Sequence, residues 1–289
     1  MIAITRNFYG AWLPECAWLG VCRYIYRRLV LFIAEPVFAL EKSTSEFIVK
    51  RFFTLGLLIV FPGLFACASV DSSDVRTSGV LPIIEVTANG DGKTLVYTSL
   101  RVGGPLSNTF LDLSEGDRLE VKSDDEQSVM TRNVSWTNVI HYTAELNGDD
   151  EDKSIEVAWL RADGDDAPSS ALTLPAPFNI TRPASGEWIV GSTDDLIIAW
   201  DNAGKNDQLT LSLSGPCIDG YSKVVDDTGI HTIPAGTLTY SGDEEADTTD
   251  CTTEVTLERK RFGEVDPAFA ANGAASAYVR RKASIDYSP

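Results

Sequence analysis

Residues equipped for catalysis are few in this chain. Its two histidines are separate: His141 lies in Ile140-His141-Tyr142 and reads as a packed or edge side chain of an apolar strand. His231 follows Asp226-Asp227-Thr228-Gly229-Ile230 and reads as a turn residue. No G-x-S-x-G elbow, P-loop, G-x-G-x-x-G, H-E-x-x-H or Cys-x-x-Cys occurs in the body of the chain. Carboxylates are so abundant that accidental pairs are guaranteed, so spacing alone assigns no acid/base pair for glycoside hydrolysis. Three acidic runs, Asp149-Asp150-Glu151-Asp152, Asp163-Gly164-Asp165-Asp166 and Asp243-Glu244-Glu245, offer the oxygens that calcium takes. None keeps the EF-hand spacing, and mutually repelling acids read first as solvated loop tips. No catalytic residue, metal ligand or cofactor is assigned.

Binding chemistry is better represented. Arg259-Lys260-Arg261 and Arg280-Arg281-Lys282 stand out against an acidic background. If strands over 252–261 and 276–286 pair around the intervening loop, Lys260, Arg280 and Lys282 point away from the core, and Tyr278 joins them by parity. Such a stripe suits an anionic glycan or a lipid headgroup. The competing expectation is that it neutralises Glu254, Glu258 and neighbouring acids, since cross-strand opposite charges contribute ~0.2–1 kcal/mol. Trp136 and Trp188 sit near strand ends, where an exposed indole can stack on sugar rings or anchor a protein partner. Trp159 and Trp200 fall on apolar parity and read as core.

The elements that must position these residues are strands. The chain has 289 residues, 44% hydrophobic, which excludes wholesale disorder and leaves room for two domains. Ile155, Val157 and Trp159 share one face; Leu209, Leu211 and Leu213, and Val255 and Leu257, alternate with polar neighbours. Further strands are expected at 82–88, 93–102, 108–113, 117–122, 138–146, 187–190 and 195–201, separated by turn clusters such as Asn89-Gly90-Asp91-Gly92. No apolar 3.6-residue period with caps follows residue 80. The pattern predicts an all-β body of two tandem antiparallel β-sandwich domains, 81–172 and 173–289. Ala171-Leu172-Thr173-Leu174-Pro175-Ala176-Pro177 is the expected seam, following a loop over Asp163–Ser170.

Charge divides the chain. Of 24 Lys+Arg and 42 Asp+Glu, residues 1–67 hold 7 and 4, which leaves 17 against 38 for the body. That acidity argues against a nucleic-acid partner, whose phosphates need a basic surface. Lys50-Arg51, the apolar run Phe52–Phe65 and Ala66-Cys67-Ala68-Ser69 have the order of a secretory signal peptide over 49–66. The run is short for a membrane span, which needs ~20 residues. Residues 1–48 share no compositional character with the body and read as an over-extended start, with a membrane-associated head as the competing expectation. Residues 67–80 are expected to be a polar tether.

Leu64-Phe65-Ala66-Cys67 resembles the lipobox of bacterial lipoproteins, which implies diacylglycerol on the Cys67 thiol and cleavage before it. Ala68 after the cysteine implies, by the same resemblance, the outer membrane as the destination. Ile180-Thr181-Arg182-Pro183-Ala184-Ser185-Gly186, leading to Leu196-Ile197-Ile198-Ala199-Trp200, resembles the opening of an Ig-like module of Ser/Thr-rich wall-anchored proteins. That likeness implies fold more than function. The body as a whole is similar to uncharacterised envelope lipoproteins. With Cys16 and Cys22 upstream and Cys67 carrying lipid, Cys217 and Cys251 remain in the exported body, and an oxidising compartment favours their pairing. The expectation is a lipid-anchored envelope protein, a noncatalytic binding or structural module with a glycan or protein ligand. The alternative is an envelope hydrolase using loop carboxylates.

Overall fold

Alternating apolar and polar residues pack one face of a pleated strand and solvate the other. In the computed structural model, which describes residues 68–124, 126–191, 193–239 and 251–288, these runs are strands, and the described residues include no α-helix. The first half contains β1 (Ala68–Asp71), β2 (Val80–Ala88), β3 (Lys93–Val102), β4 (Thr109–Asp112), β5 (Arg118–Ser123), β6 (Glu126–Val129), β7 (Thr131–Val134), β8 (Ile140–Asn147), β9 (Ser154–Leu160) and β10 (Ala167–Thr173). The second contains β11 (Ile180–Arg182), β12 (Glu187–Val190), β13 (Leu196–Trp200), β14 (Gln208–Gly215), β15 (Ile218–Val225), β16 (Ile230–Ile233), β17 (Thr252–Phe262) and β18 (Ala274–Ser288).

One large sheet runs β1-β4-β3-β2-β18-β17-β14-β15, with β8 also beside β3, β7 beside β8 and β12 beside β18. A second sheet is β10-β9-β5-β6, and a third is β11-β13-β16. Ile84, Val86, Val96 and Leu100 of the large sheet join Val121, Val157 and Trp159 of the second, while Leu211, Leu257 and Val279 join Leu196 and Ile198 of the third, all in one buried apolar core. The body is therefore all-β, built as two sandwiches from open sheets.

The two sandwiches share a sheet. β2 of the first half pairs in parallel with β18 of the second, from Ala274↔Ile83 to Val279↔Ala88. The β1–β4 and β12–β18 pairs are also parallel, where antiparallel pairing throughout was expected. The connection between β17 and β18 crosses into the first half. Glu264 bridges Ala171 of β10, the Asp266 carboxylate accepts from Ser169 N at 2.8 Å, and Phe269 stacks on Trp159 at 5.9 Å between ring centroids. The described residues accordingly lie in one compact unit.

Three expected loops are built differently. Ala167–Thr173 is a strand, its alternation broken by a register shift between Ala167 and Ser170. The seam that follows is buried at Leu174, Ala176 and Phe178. Its prolines have no N–H to satisfy, so its hydrogen-bonding need is for donors to its carbonyls. Arg261 Nη1 donates to Leu174 O at 3.0 Å, Arg259 Nη1 to Ala176 O at 2.6 Å, and Asn202 Nδ2 to Pro177 O at 2.6 Å. Residues 68–80, expected as a tether, enter the fold directly. β1 pairs with β4, two 3-10 turns follow at Ser72–Asp74 and Thr77–Gly79, and the buried Ser72 hydroxyl donates to Asp117 at 2.7 Å.

Candidate functional site

Strand parity places the basic stripe. On β17, Val255, Leu257 and Arg259 are buried, so Glu254, Thr256, Glu258, Lys260 and Phe262 take the opposite, outer face. Cross-strand register sets Lys260 opposite Tyr278, Glu258 opposite Arg280 and Thr256 opposite Lys282. Lys260, Tyr278, Arg280 and Lys282 thus share the outer face of the large sheet. Two of the cations meet acids there: Arg280 Nη2 lies 2.5 Å from Glu258 Oε2, and Lys282 Nζ lies 2.9 Å from Glu254 Oε1. Lys260 instead sits over rings, its Nζ 4.5 Å from the Phe262 centroid and 5.4 Å from that of Tyr278. Such cation–π contacts contribute ~0.5–1 kcal/mol at exposed sites.

The face continues into the first half through the shared sheet. Phe262 is opposite Ser276, Ser276 opposite Glu85, Glu85 opposite Tyr97 and Tyr97 opposite Thr143, a single row over five strands. At ~4.8 Å between strands the row spans about 19 Å. Tyr97 stacks on His141 with centroids 5.1 Å apart, and Phe262 is 69% exposed. Burial pushes the Glu85 carboxyl above the usual carboxylate range, against the opposing pull of Arg280 and Lys260. Burial likewise raises the Tyr97 phenol. The result is a band on the outer face carrying rings, one ammonium and one reluctant carboxylate. Its chemistry is stacking and hydrogen bonding.

The other singled-out residues do not join this band. Trp136 lies in the β7–β8 turn, 94% exposed, while Trp188 lies on β12, opposite Asp286 at the far part of β18. Trp159 and Trp200 are buried, as their parity predicts. Cys217 and Cys251 are joined as a disulfide, with Cα atoms 5.8 Å apart. Cys67 lies outside the described residues, as does the acidic run at 243–245. His231 is a strand residue of β16 rather than a turn residue, paired with Ile198. Burial, with Lys223 nearby, holds its imidazole below the ordinary value.

The acidic run after β8 proves to be a clasp between the halves. Asp149 approaches Arg281 at 3.8 Å, Glu151 meets Lys205 at 3.0 Å and Asp152 meets Arg261 at 2.6 Å. Its carboxylates diverge toward separate cations; no group of three metal-binding side chains comes together among the described residues. A groove of about 390 Å³ lies between the β11 region and β18, lined by Ile180, Pro183, Arg281 and Ser284 among others. Arg281 is engaged elsewhere, donating to Ala88 O at 3.3 Å. Gly90 has φ +88°, and a Cβ there would fall 2.8 Å from the Arg281 guanidinium carbon, so only glycine suits that turn.

Sequence reasoning missed the polar node inside the second half. Arg259, with none of its surface exposed, pairs with Asp227 at 2.8 Å, and Asp227 also accepts from Trp200 Nε1 at 2.7 Å and Lys205 N at 2.9 Å. The signal was an arginine on the core parity of β17.

No protein family and no curated protein matches the sequence. Among solved structures, a titin A168–A169 fragment is 8% identical, covering 72% of this chain and 100% of that one, with a TM-score of 0.22. The adhesin InvE of Yersinia pseudotuberculosis is 11% identical over 73% of this chain, with a TM-score of 0.21, and this chain spans 59% of that structure. Chicken CNTN1 FN1–FN3 domains are 14% identical over 74% of this chain and 67% of that one, with a TM-score of 0.19. At these scores the likeness adds nothing to the architecture, which rests on the strand pairings themselves.

Proposed function

We propose that this chain is a lipid-anchored cell-envelope protein, exported to the outer membrane and held there through Cys67, whose Ig-like double sandwich is a noncatalytic binding module for a glycan. The observation that carries the binding half is the band Phe262, Lys260, Tyr278 and Tyr97 on an open sheet face that spans both sandwiches. Flat rings stack on sugar faces, and Lys260, Glu85 and His141 supply polar groups beside them. Arg280 and Lys282 have acid partners, so their role is to hold the face flat and balanced, and Lys260 supplies the attraction for an acidic sugar. Glu258, the carboxylate whose charge also acts on Glu85, is held by Arg280. That arrangement favours binding over the hydrolase alternative.

The test uses the full chain in two arms. Cys67→Ser should move the protein from the membrane fraction to the soluble one and remove the acyl mass; equal membrane recovery without acyl mass on wild type would end the anchoring half. On a uronate-containing polysaccharide column, Lys260→Glu with Phe262→Ala should reduce retention roughly tenfold and abolish its salt sensitivity, because exposed charges are screened within ~10 Å at 0.1 M salt. Unchanged retention would refute the glycan reading.

A further inference from the structure

We infer that the end of the first sandwich carrying Leu106 and Trp136 is the membrane-facing base of the protein, and that these two side chains enter the interfacial layer of the bilayer. The inference rests on the lipid-anchored reading and adds an orientation and a contact surface to it.

Strand directions place the base. Ala68, adjacent in the chain to Cys67, opens β1 opposite Thr109 at the start of β4, and Thr109 is opposite Val102 at the end of β3. The 103–108 connection, which carries Leu106, is therefore at the end where the described chain begins. β8 runs antiparallel to β3, with Tyr142 opposite Thr98, so the β7–β8 turn with Trp136 projects from that end as well. With no tether between Cys67 and β1, an acyl chain on Cys67 would draw this end against the lipid surface.

The two tips are built for such a surface. Leu106 is 96% exposed and Trp136 94%. Both turns are fixed by hydrogen bonds. Ser107 N donates to Gly104 O at 3.1 Å and Arg101 Nη1 to Pro105 O at 3.4 Å; Ser135 N donates to Val139 O and Asn138 N to Ser135 O, each at 3.0 Å. Two side chains this exposed, at the end beside the proposed acylation site, are placed where lipid would receive them. The two turns themselves, Gly103–Asn108 and Ser135–Val139, contain no acid, and tryptophan favours the depth of the headgroups.

The test reconstitutes the acylated full chain into vesicles of phosphatidylethanolamine and phosphatidylglycerol containing a bromine-labelled lipid that quenches tryptophan. Wild type should lose fluorescence, and Trp136→Phe should show roughly a twofold smaller quenched fraction, since an interfacial indole lies within reach of the lipid. Trp188→Phe should leave that fraction unchanged. Flotation with the vesicles and acyl mass on Cys67, together with identical quenching in wild type and Trp136→Phe, would overturn the docking alone and leave Trp136 for a protein partner. Absence of both flotation and acyl mass would overturn the anchor and the docking together.

Discussion

Arg259 shows how a single residue ties a seam to a core. Its guanidinium reaches Ala176 O, Asn202 O and Asp227, and lies 4.9 Å from the Phe178 ring centroid. Removing one partner of a buried ion pair leaves the other charge uncompensated, at a cost of about 3–5 kcal/mol. Arg259→Met should therefore lower the urea midpoint strongly, and Arg259→Lys should not restore it, because one ammonium cannot span the carbonyls and the carboxylate. A lysine variant as stable as wild type would refute the forked role. The parity of Arg259 was legible in the sequence; its partner was not, because Asp227 sits in a turn 32 residues upstream.

Glu85 yields the opposite sign. Its carboxyl is raised by burial in the folded protein, so the fold favours the protonated form. The stability this contributes is present below the unfolded value, about 4.3, and is lost as pH rises through the higher folded value. Glu85→Gln, which cannot ionise, should match wild type in acid and melt at a higher temperature at neutral pH. Thermal melts across that range check it, and a variant less stable than wild type at neutral pH would contradict the assignment.

At the scale of elements, buried alternation was readable and edges were not. The strand expected at 93–102 coincides with β3, and that at 187–190 with β12. β15 escaped because its central residues face solvent and only Ile218 and Val225 are buried, leaving no period of two. The 263–273 connection looked like an ordinary hairpin loop, yet it carries Phe269 into the first sandwich. Phe→Ala in a core costs about 3–5 kcal/mol. Because Phe269 belongs to the second half and packs in the first, Phe269→Ala should lower one common unfolding transition, followed by both near-UV and far-UV signals. Two separated transitions would show that the halves fold independently.

Across the whole molecule, half of the candidate band was legible. Lys260, Tyr278, Arg280 and Lys282 lie on two consecutive strands, so their parity could be read locally. Glu85, Tyr97 and His141 come from the first half and meet them only through the β2–β18 pairing, which no local period encodes. The disulfide was accessible by counting cysteines, whereas the acidic clasp was not, because its cations lie 54 to 109 residues away for Lys205 and Arg261.

The parallel join between β2 and β18 also has a mechanical consequence. β2 begins near the end where Ala68 stands, and β18 runs alongside it and finishes at Ser288, far into the second half. Tension applied between those two points pulls the paired strands lengthwise past each other. The ladder hydrogen bonds lie across that direction and carry the load together, instead of opening one after another from a free end. A tug on the outer part of the molecule would thus be borne in shear by its central strands, with the hairpin loop around Phe269 locked across the same junction.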